Sequence, residues 1–221
     1  MDPQHEALLR AGTAVISDVF DALGLAPPVL DTALFAVGGA GTAFAGPAYT
    51  IAGESARWSD GGGDRAKLAA IDAMPPGVVP VWAGSDIRGV CCFGDLLSAA
   101  MQARECAGVV VDGGVRDLAF LRSLRLPILA RYRTPAQAIG RWRVTARQAP
   151  VKVRGALDEW VTVEPGDTVV ADDDGVIVVA AGMLASVVSR AAEWSRGESA
   201  ARDEIRKGLP LLEALKRYGH L

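Results

Sequence analysis

Two carboxylates and one guanidinium stand at a spacing that could do chemistry, Asp95-(x20)-Arg116-Asp117. A guanidinium holds a carboxylate through a planar fork, and Asp oxygens suit a hard divalent cation. Together they are the materials of a metal-assisted site for a small carboxylic acid. Their neighbours say where they must stand. Phe93-Gly94-Asp95-Leu96-Leu97 opens a helix, and Val109-Val110-Val111-Asp112-Gly113-Gly114-Val115-Arg116-Asp117 leaves a strand. Both groups are therefore expected at consecutive strand-to-helix junctions. In a parallel sheet such junctions lie side by side at the carboxyl ends of the strands, where ligands bind. Asp95 is expected as a helix N-cap, with the amides of Leu96, Leu97 and Ser98 facing the same crevice and favouring an anion. Gly113 and Gly114 would let the backbone approach a ligand closely.

The elements that must position these residues follow from apolar spacing. Thr13 to Gly24 reads as a helix closed by its glycine. Phe44 to Ala52 reads as a strand, Gly61-Gly62-Gly63 as a turn before a helix from Asp64 to Met74, and Val78 to Ala83 as the next strand. Then come helix Asp95 to Glu105, strand Gly108 to Val111, helix Asp117 to Leu124 and strand Pro127 to Ala130. Short, continuously apolar strands between helices indicate a parallel sheet covered on both faces. Arg131 and Arg133 follow the last of these strands and are expected near the same rim. Beyond Thr134-Pro135, alternation in 141–144, 150–153 and 160–163 predicts strands with one solvated face. Thr168 to Ala171 and Val176 to Val179 form a hairpin around Asp172-Asp173-Asp174-Gly175, and the tail from Leu184 to Tyr218 is helical.

Composition narrows the chemistry. The chain has 221 residues, half of them hydrophobic and 22% charged, as expected of one globular domain spanning 1–221 with a helical tail over 184–221. A net charge of −3 argues against general nucleic-acid or membrane binding. The apolar run from Val176 to Val188 is too short and interrupted to span a bilayer. Met1 to Glu6 lacks the regions of a signal peptide, so a cytoplasmic location is expected. Cys91, Cys92 and Cys106 have neither zinc-site spacing nor disulfide parity and read as buried small hydrophobes. The two histidines, His5 and His220, sit at the ends, which disfavours a His-based triad or metal centre. A metal would be held by carboxylates and water, favouring Mg²⁺ or Mn²⁺. The acidic turn 172–175 is no calcium loop, since the twelfth position is Met183 rather than Glu. Gly61 to Lys67 lacks the spacing and terminal hydroxyl of a phosphate loop.

The ordered set Phe93 to Leu97, Ala107 to Asp117, Leu126 to Arg131, Val163 to Val176 and Glu213 to Gly219 resembles one family from about Thr13 to the C-terminus. It is that of the regulator of ribonuclease activity A and the 4-hydroxy-4-methyl-2-oxoglutarate/4-carboxy-4-hydroxy-2-oxoadipate aldolases. The resemblance implies an α/β fold, a swivelling β/β/α-type layered domain with a parallel βαβ core, assembled as homotrimers or homohexamers. It implies that Asp117 holds a divalent metal largely through water and that Arg116 binds the pyruvyl part of the substrate. Asp95 belongs to the metal–water network, while Gly94 and the amides of Leu96 and Leu97 hold the substrate carboxylate. A Glu from a neighbouring subunit's C-terminal helix completes the aldolase site and is missing from the regulators. Glu198 matches it, in Glu198-(x3)-Arg202-(x2)-Ile205-(x2)-Gly208, with Glu193 and Glu204 as nearby alternatives.

The activity so implied is that of a metal-dependent lyase. It would cleave a 4-hydroxy-2-oxo acid to pyruvate through a metal-stabilised enolate and decarboxylate oxaloacetate by the same route. Arg116, Asp95 and Glu198 are the expected catalytic residues. The alternatives are a non-enzymatic regulator binding a ribonuclease or helicase, which would lack the in-trans carboxylate, or a related lyase acting on a different 2-oxo acid. Departures from the family are Phe120 in place of an acid, Ala180 in place of a frequent Pro, and the basic, Trp-bearing segment Tyr132 to Arg147.

Overall fold

The continuously apolar runs do form a covered parallel sheet. A computed structural model describes residues 2–39, 41–57, 64–84 and 87–219; the glycine run 61–63 and His220 lie outside the described residues. At the centre, β2 (Phe44–Ser55), β3 (Val79–Ala83), β5 (Val109–Val115) and β6 (Ile128–Arg133) lie in the order β6-β5-β3-β2, paired in parallel throughout. A short strand, β4 (Cys91–Phe93), pairs in parallel with the end of β5, Cys91 opposite Gly114 and Phe93 opposite Val115. Every residue of β3 and β5 is buried, which is why these strands show no alternation in sequence.

Antiparallel strands extend the sheet on both sides. β1 (Phe35–Gly38) joins β6. β2 is long enough to carry two partners on one edge: β10 (Thr168–Asp172) pairs near its start, and β7 (Trp142–Arg147) pairs from Ile51 onward. β11 (Gly175–Val179) closes the hairpin on β10, with Asp172 opposite Gly175 as expected. The hairpin of β8 (Val151–Arg154) and β9 (Trp160–Val163) is a separate layer. Its Val153 and Val163 pack with Val81 and Val110 on one face of the sheet. The other face is covered by α3 (Arg65–Asp72), α4 (Asp95–Ala103) and α5 (Leu118–Leu121), with Ile71, Met101 and Leu121 packed around Trp82 and Val111. The result is one mixed α/β domain whose curled sheet lies between a helical and a β layer.

At the β10–β11 end, α1 (Pro3–Ala11), α2 (Thr13–Ala22) and α6 (Leu184–Arg206) form a third cluster, with Leu8, Ile16 and Val187 fully buried. Asp172 of the acidic turn accepts from the amide (2.7 Å) and hydroxyl (2.6 Å) of Thr13, supplying the N-terminal cap that Gly12 cannot. The tail ends in α7 (Leu211–Tyr218), which leaves Leu211 and Leu212 exposed. No helix of the described residues is long and apolar enough to cross a membrane.

Two boundaries differ from expectation. β5 does not stop at Val111 but runs through Gly113-Gly114 to Val115. A side chain at Gly114 would run into the Tyr132 ring, so this glycine serves strand packing rather than a ligand loop. The helix expected over Asp117 to Leu124 is a single turn, Leu118–Leu121. The chain leaves it to bury Leu124 and Leu126 before entering β6.

Candidate functional site

Because β4 lies parallel to β5, the residues leaving the two strands meet at one edge of the sheet. The amide of Arg116 donates to the carbonyl of Phe93 (3.2 Å), and the amide of Asp95 donates to Oδ2 of Asp117 (3.1 Å). Nε of Arg116 lies 3.4 Å from the same Oδ2, and both side chains are about two-fifths exposed. A methyl group at Gly94 would clash with that oxygen and stand 2.9 Å from Cγ of Arg116. Glycine is therefore what allows the two junctions to touch.

The details correct the expectation at α4. Gly94, not Asp95, is the N-cap, and Asp95 is the first helical residue. Its carboxylate folds onto the amide of Leu96 (2.7 Å), and the amide of Ser98 bonds to the Gly94 carbonyl (3.1 Å). Of the three amides expected to be open, only that of Leu97 has no bond among the described residues. An anion arriving at this helix end would meet Leu97 first and would have to displace Asp95 to reach Leu96.

At α5, Asp117 does not cap its helix with its side chain. The residue sits before the helix in the left-handed region (φ 61°, ψ 40°). That backbone conformation costs a non-glycine residue roughly 1–2 kcal/mol, and such strain gathers at ligand sites. It turns the carboxylate away from its own helix and toward Gly94 and Asp95. Among the described residues no group of three or more His, Cys, Asp or Glu converges. A divalent cation here would take oxygens from Asp117 and complete its shell with water or substrate, a donor set that fits Mg²⁺ or Mn²⁺.

Arg116 stands between two recesses. One, of about 220 Å³, is bordered by Lys67, Phe93, Gly94, Asp95 and Leu97; the other, of about 490 Å³, by Asp117, Leu118, Arg133 and Thr134. Arg133 thus reaches the rim, as expected. Arg131 does not: Arg133 ends the strand at the rim, whereas Arg131, like Leu129 two residues before it, lies on the face covered by the β8–β9 hairpin. There its Nε lies 3.1 Å from Oδ1 of the buried Asp112, an ion pair without the alignment of a linear hydrogen bond. Cys91 borders the smaller recess, and burial raises its thiol pKa; burial pushes Cys92 up to about 12. Neither is a thiolate nucleophile near neutral pH.

Glu198 is not brought to the site within one chain. It lies on α6, 3.7 Å from Arg202, and α6 packs chiefly against α1, α2 and α7. Glu204 pairs with Arg217 at 2.5 Å, and Glu193 is exposed on the same helix. None of the three borders either recess. Sequence reasoning missed Lys67, which is almost fully buried and faces the smaller recess. Its signal was available: Lys67 shares a helical face with Ala70, Ile71 and Met74, where an apolar residue is expected.

The model of the RraA-like family, described as Aldolase/RraA, matches residues 13–178. A Burkholderia multivorans protein named "Putative 4-hydroxy-4-methyl-2-oxoglutarate aldolase" is 34% identical over 183 residues, covering 80% of this chain and 91% of the relative. Protein DlpA of Legionella pneumophila is 29% identical over 213 residues, 96% of this chain, which spans only 33% of that longer protein. Among solved structures, Streptomyces coelicolor RraAS2, described as an unusual member of the RNase ES inhibitor RraA protein family, superposes with a TM-score of 0.76. It is 28% identical, with 91% of this chain and 97% of that one covered.

Proposed function

Since this chain belongs to the RraA-like family, we propose that it is a divalent-metal-dependent carbon–carbon lyase. Its substrate would be a 4-hydroxy-2-oxo acid of the 4-hydroxy-4-methyl-2-oxoglutarate type, cleaved to pyruvate and a second carbonyl compound. The supporting observation is the contact of Gly94-Asp95 with Arg116-Asp117, which leaves the Asp117 carboxylate unused by its own helix. The aldolase name of the Burkholderia relative supports the same class of reaction.

Asp117 and water would hold Mg²⁺ or Mn²⁺, which when bound supplies Lewis acidity to a 2-oxo acid. The chain's own groups do the rest. The N-terminus of α4, led by the Leu97 amide and by that of Leu96 once Asp95 swings away, receives the substrate carboxylate. Asp95, so released, takes the proton of the C4 hydroxyl through a water. The C3–C4 bond breaks, its electron pair passes into the pyruvate enolate, and Arg116 faces the charge growing on the C2 oxygen. Protonation at C3 gives pyruvate. Oxaloacetate enters the same enolate by losing CO₂, so decarboxylation accompanies aldol cleavage. Glu198 of the partner subunit would complete the proton path in a homotrimer or homohexamer, with exposed leucines such as Leu211 and Leu212 needing cover.

Pyruvate release from oxaloacetate and from a panel of 4-hydroxy-2-oxo acids, with Mg²⁺ and with EDTA, tests the reading. Release that EDTA abolishes is expected. Folded, metal-supplemented protein that releases none would favour the second reading, suggested by the RraAS2 likeness: a non-enzymatic regulator that binds a ribonuclease or helicase. The shared site has its own test. Arg116→Ala and Glu198→Ala proteins should each be nearly inactive, and co-expressed they should regain part of the activity by pairing intact halves across a head-to-tail interface. No recovery in demonstrably mixed oligomers, or a monomeric mass by light scattering, rejects it.

A further inference from the structure

Lys67 is the buried charge that the mechanism above does not use. Its side chain comes from α3 into the base of the recess that Arg116 borders, and the residue is 6% exposed. Nζ donates to the carbonyl of Cys92 (2.9 Å) and lies 5.2 Å from the centre of the Trp142 ring. Among the described residues it has no carboxylate within ion-pair distance. The two carboxylates that line the same recess are turned onto backbone. Asp64 accepts the amides of Lys67 (3.0 Å) and Val144 (2.9 Å), and Asp95 accepts that of Leu96. A carbonyl and a ring face are partial compensation for a desolvated ammonium, which ordinarily persists in a protein only when paired. Burial accordingly lowers its pKa, against the pull of Asp64 and Cys92.

We propose that Lys67 is a specificity-determining residue whose ammonium receives a second anionic group of the substrate, so that the site selects dicarboxylic over monocarboxylic 2-oxo acids. The inference rests on the lyase reading for the place of the pyruvyl half, at Arg116 and Asp117. It adds that the part of the substrate beyond C3 carries a carboxylate and lies in the recess of about 220 Å³. Asp64 and Asp95 in the walls are turned onto backbone amides and Arg116 is taken up by the pyruvyl half, which leaves the Lys67 ammonium as the counter-ion for such a group.

The proposal is tested by binding rather than turnover. The probes are 2-oxoglutarate, which lacks the C4 hydroxyl needed for cleavage, and pyruvate as the matched monocarboxylate. Each is titrated with Mg²⁺ present into the intact protein and followed by tryptophan fluorescence, since Trp142 stacks on the ammonium. The wild type should bind 2-oxoglutarate at least about tenfold more tightly than pyruvate. Lys67→Met should weaken 2-oxoglutarate by about 10–100-fold, as for loss of a charged hydrogen bond, and pyruvate by less than about threefold. Lys67→Gln, which keeps a donor, serves if the Met variant does not fold, and should show the same split. Equal losses for both ligands, or none, overturn the proposal. A Lys67-dependent dicarboxylate preference without pyruvate release from any substrate overturns the lyase reading alone. A wild type that binds neither ligand overturns both.

Discussion

Two Arg–Asp pairs flank the end of β5, and they do opposite work. Arg116 and Asp117 stand at the mouth, about two-fifths exposed, 3.4 Å apart and poorly aligned. Arg131 and Asp112 lie on the other face at 13% and 2% exposure, 3.1 Å apart, with Asp31 at 4.0 Å from the same guanidinium. Asp112 also accepts the amide of Arg154 at 3.3 Å. Burial raises the Asp112 pKa and Arg131 opposes the rise. The inner pair is held in place by the costs of breaking it; the outer pair is left with free valence. In this molecule chemistry is expected where charged groups are near one another but not saturated.

The largest effect should come at Asp117. Asp117→Asn keeps an acceptor for the Asp95 amide and the tolerance for a left-handed backbone, but removes the charge a divalent cation needs. Lyase activity should fall to background while the melting temperature changes by less than about 2 °C, as for a shift under 0.5 kcal/mol in a domain of this size. Chelation of the wild type should do the same and reverse on adding Mg²⁺. Activity that survives either treatment rules out the metal mechanism.

Arg116→Ala against Asp112→Ala sets the two pairs side by side. Loss of a charge-assisted contact to a developing oxyanion costs about 10²–10³ in rate. Arg116→Ala should therefore lose most turnover and keep its circular dichroism and melting temperature. Arg116→Lys should rescue poorly, because an ammonium has no planar fork. Asp112→Ala instead leaves a mostly buried guanidinium short of its partner, a change that costs roughly 3–5 kcal/mol. Asp31 should hold the loss to the lower end, or roughly 6–12 °C in melting temperature. Comparable melting temperatures for the two variants would erase the distinction between the pairs.

Gly94→Ala probes the contact between junctions. The added methyl clashes with Oδ2 of Asp117, and relief of such overpacking typically costs 1–3 kcal/mol. Activity should fall by more than tenfold as Asp117 is pushed aside, with a smaller loss of stability than Asp112→Ala. Wild-type activity would show that the junctions need not touch.

The sequence made the outer pair legible and the inner pair nearly invisible. Asp95, Arg116 and Asp117 lie at helix starts after apolar runs, so periodicity alone placed them at neighbouring junctions. Asp112 fell outside its strand because Gly113-Gly114 looks like a strand end, and Arg131 was placed at the rim because β6 was ended at Ala130, whereas it runs on to Arg133. In the fold those glycines make room for Tyr132 and Ile87, and the strand continues through a bulge beside Asp112. Lys67 was missed for a related reason: a lysine in a short helix reads as solvated until the β7 segment carrying Trp142 covers it. The basic, Trp-bearing stretch 132–147 is likewise ordinary once folded. Trp142 is fully buried against Trp82, and Arg147 donates to the carbonyl of Ala69. Glu198 was reached by resemblance alone, and no feature of a single chain brings it to Arg116.

The smallest effect concerns the thiols behind the site, where the contrast of mouth and interior is repeated within two adjacent residues. Both cysteines border the recess, but Cys92 is the more deeply buried, at 1% exposure against 4% for Cys91, and burial raises its pKa from 9.0 to about 12. A thiol with a raised folded-state pKa binds its proton more tightly in the native than in the unfolded chain. Stability is then constant below the unfolded pKa and falls as pH rises from 9 toward 12. At pH 10 the loss from Cys92 alone is on the order of 1 kcal/mol. Lys67 acts in the reverse sense, since its folded pKa is lowered; its contribution improves as pH climbs toward its unfolded value of 10.5. The thiols, aided by Cys106, whose pKa burial raises to about 11, should prevail. Urea titrations at pH 8 and pH 10 should show wild-type stability lower at the higher pH. Cys92→Ala should shrink that difference by about 1 kcal/mol and Cys91→Ala by less. An equal response from the two variants would mean that the interior behind Arg116 is as wet as its mouth.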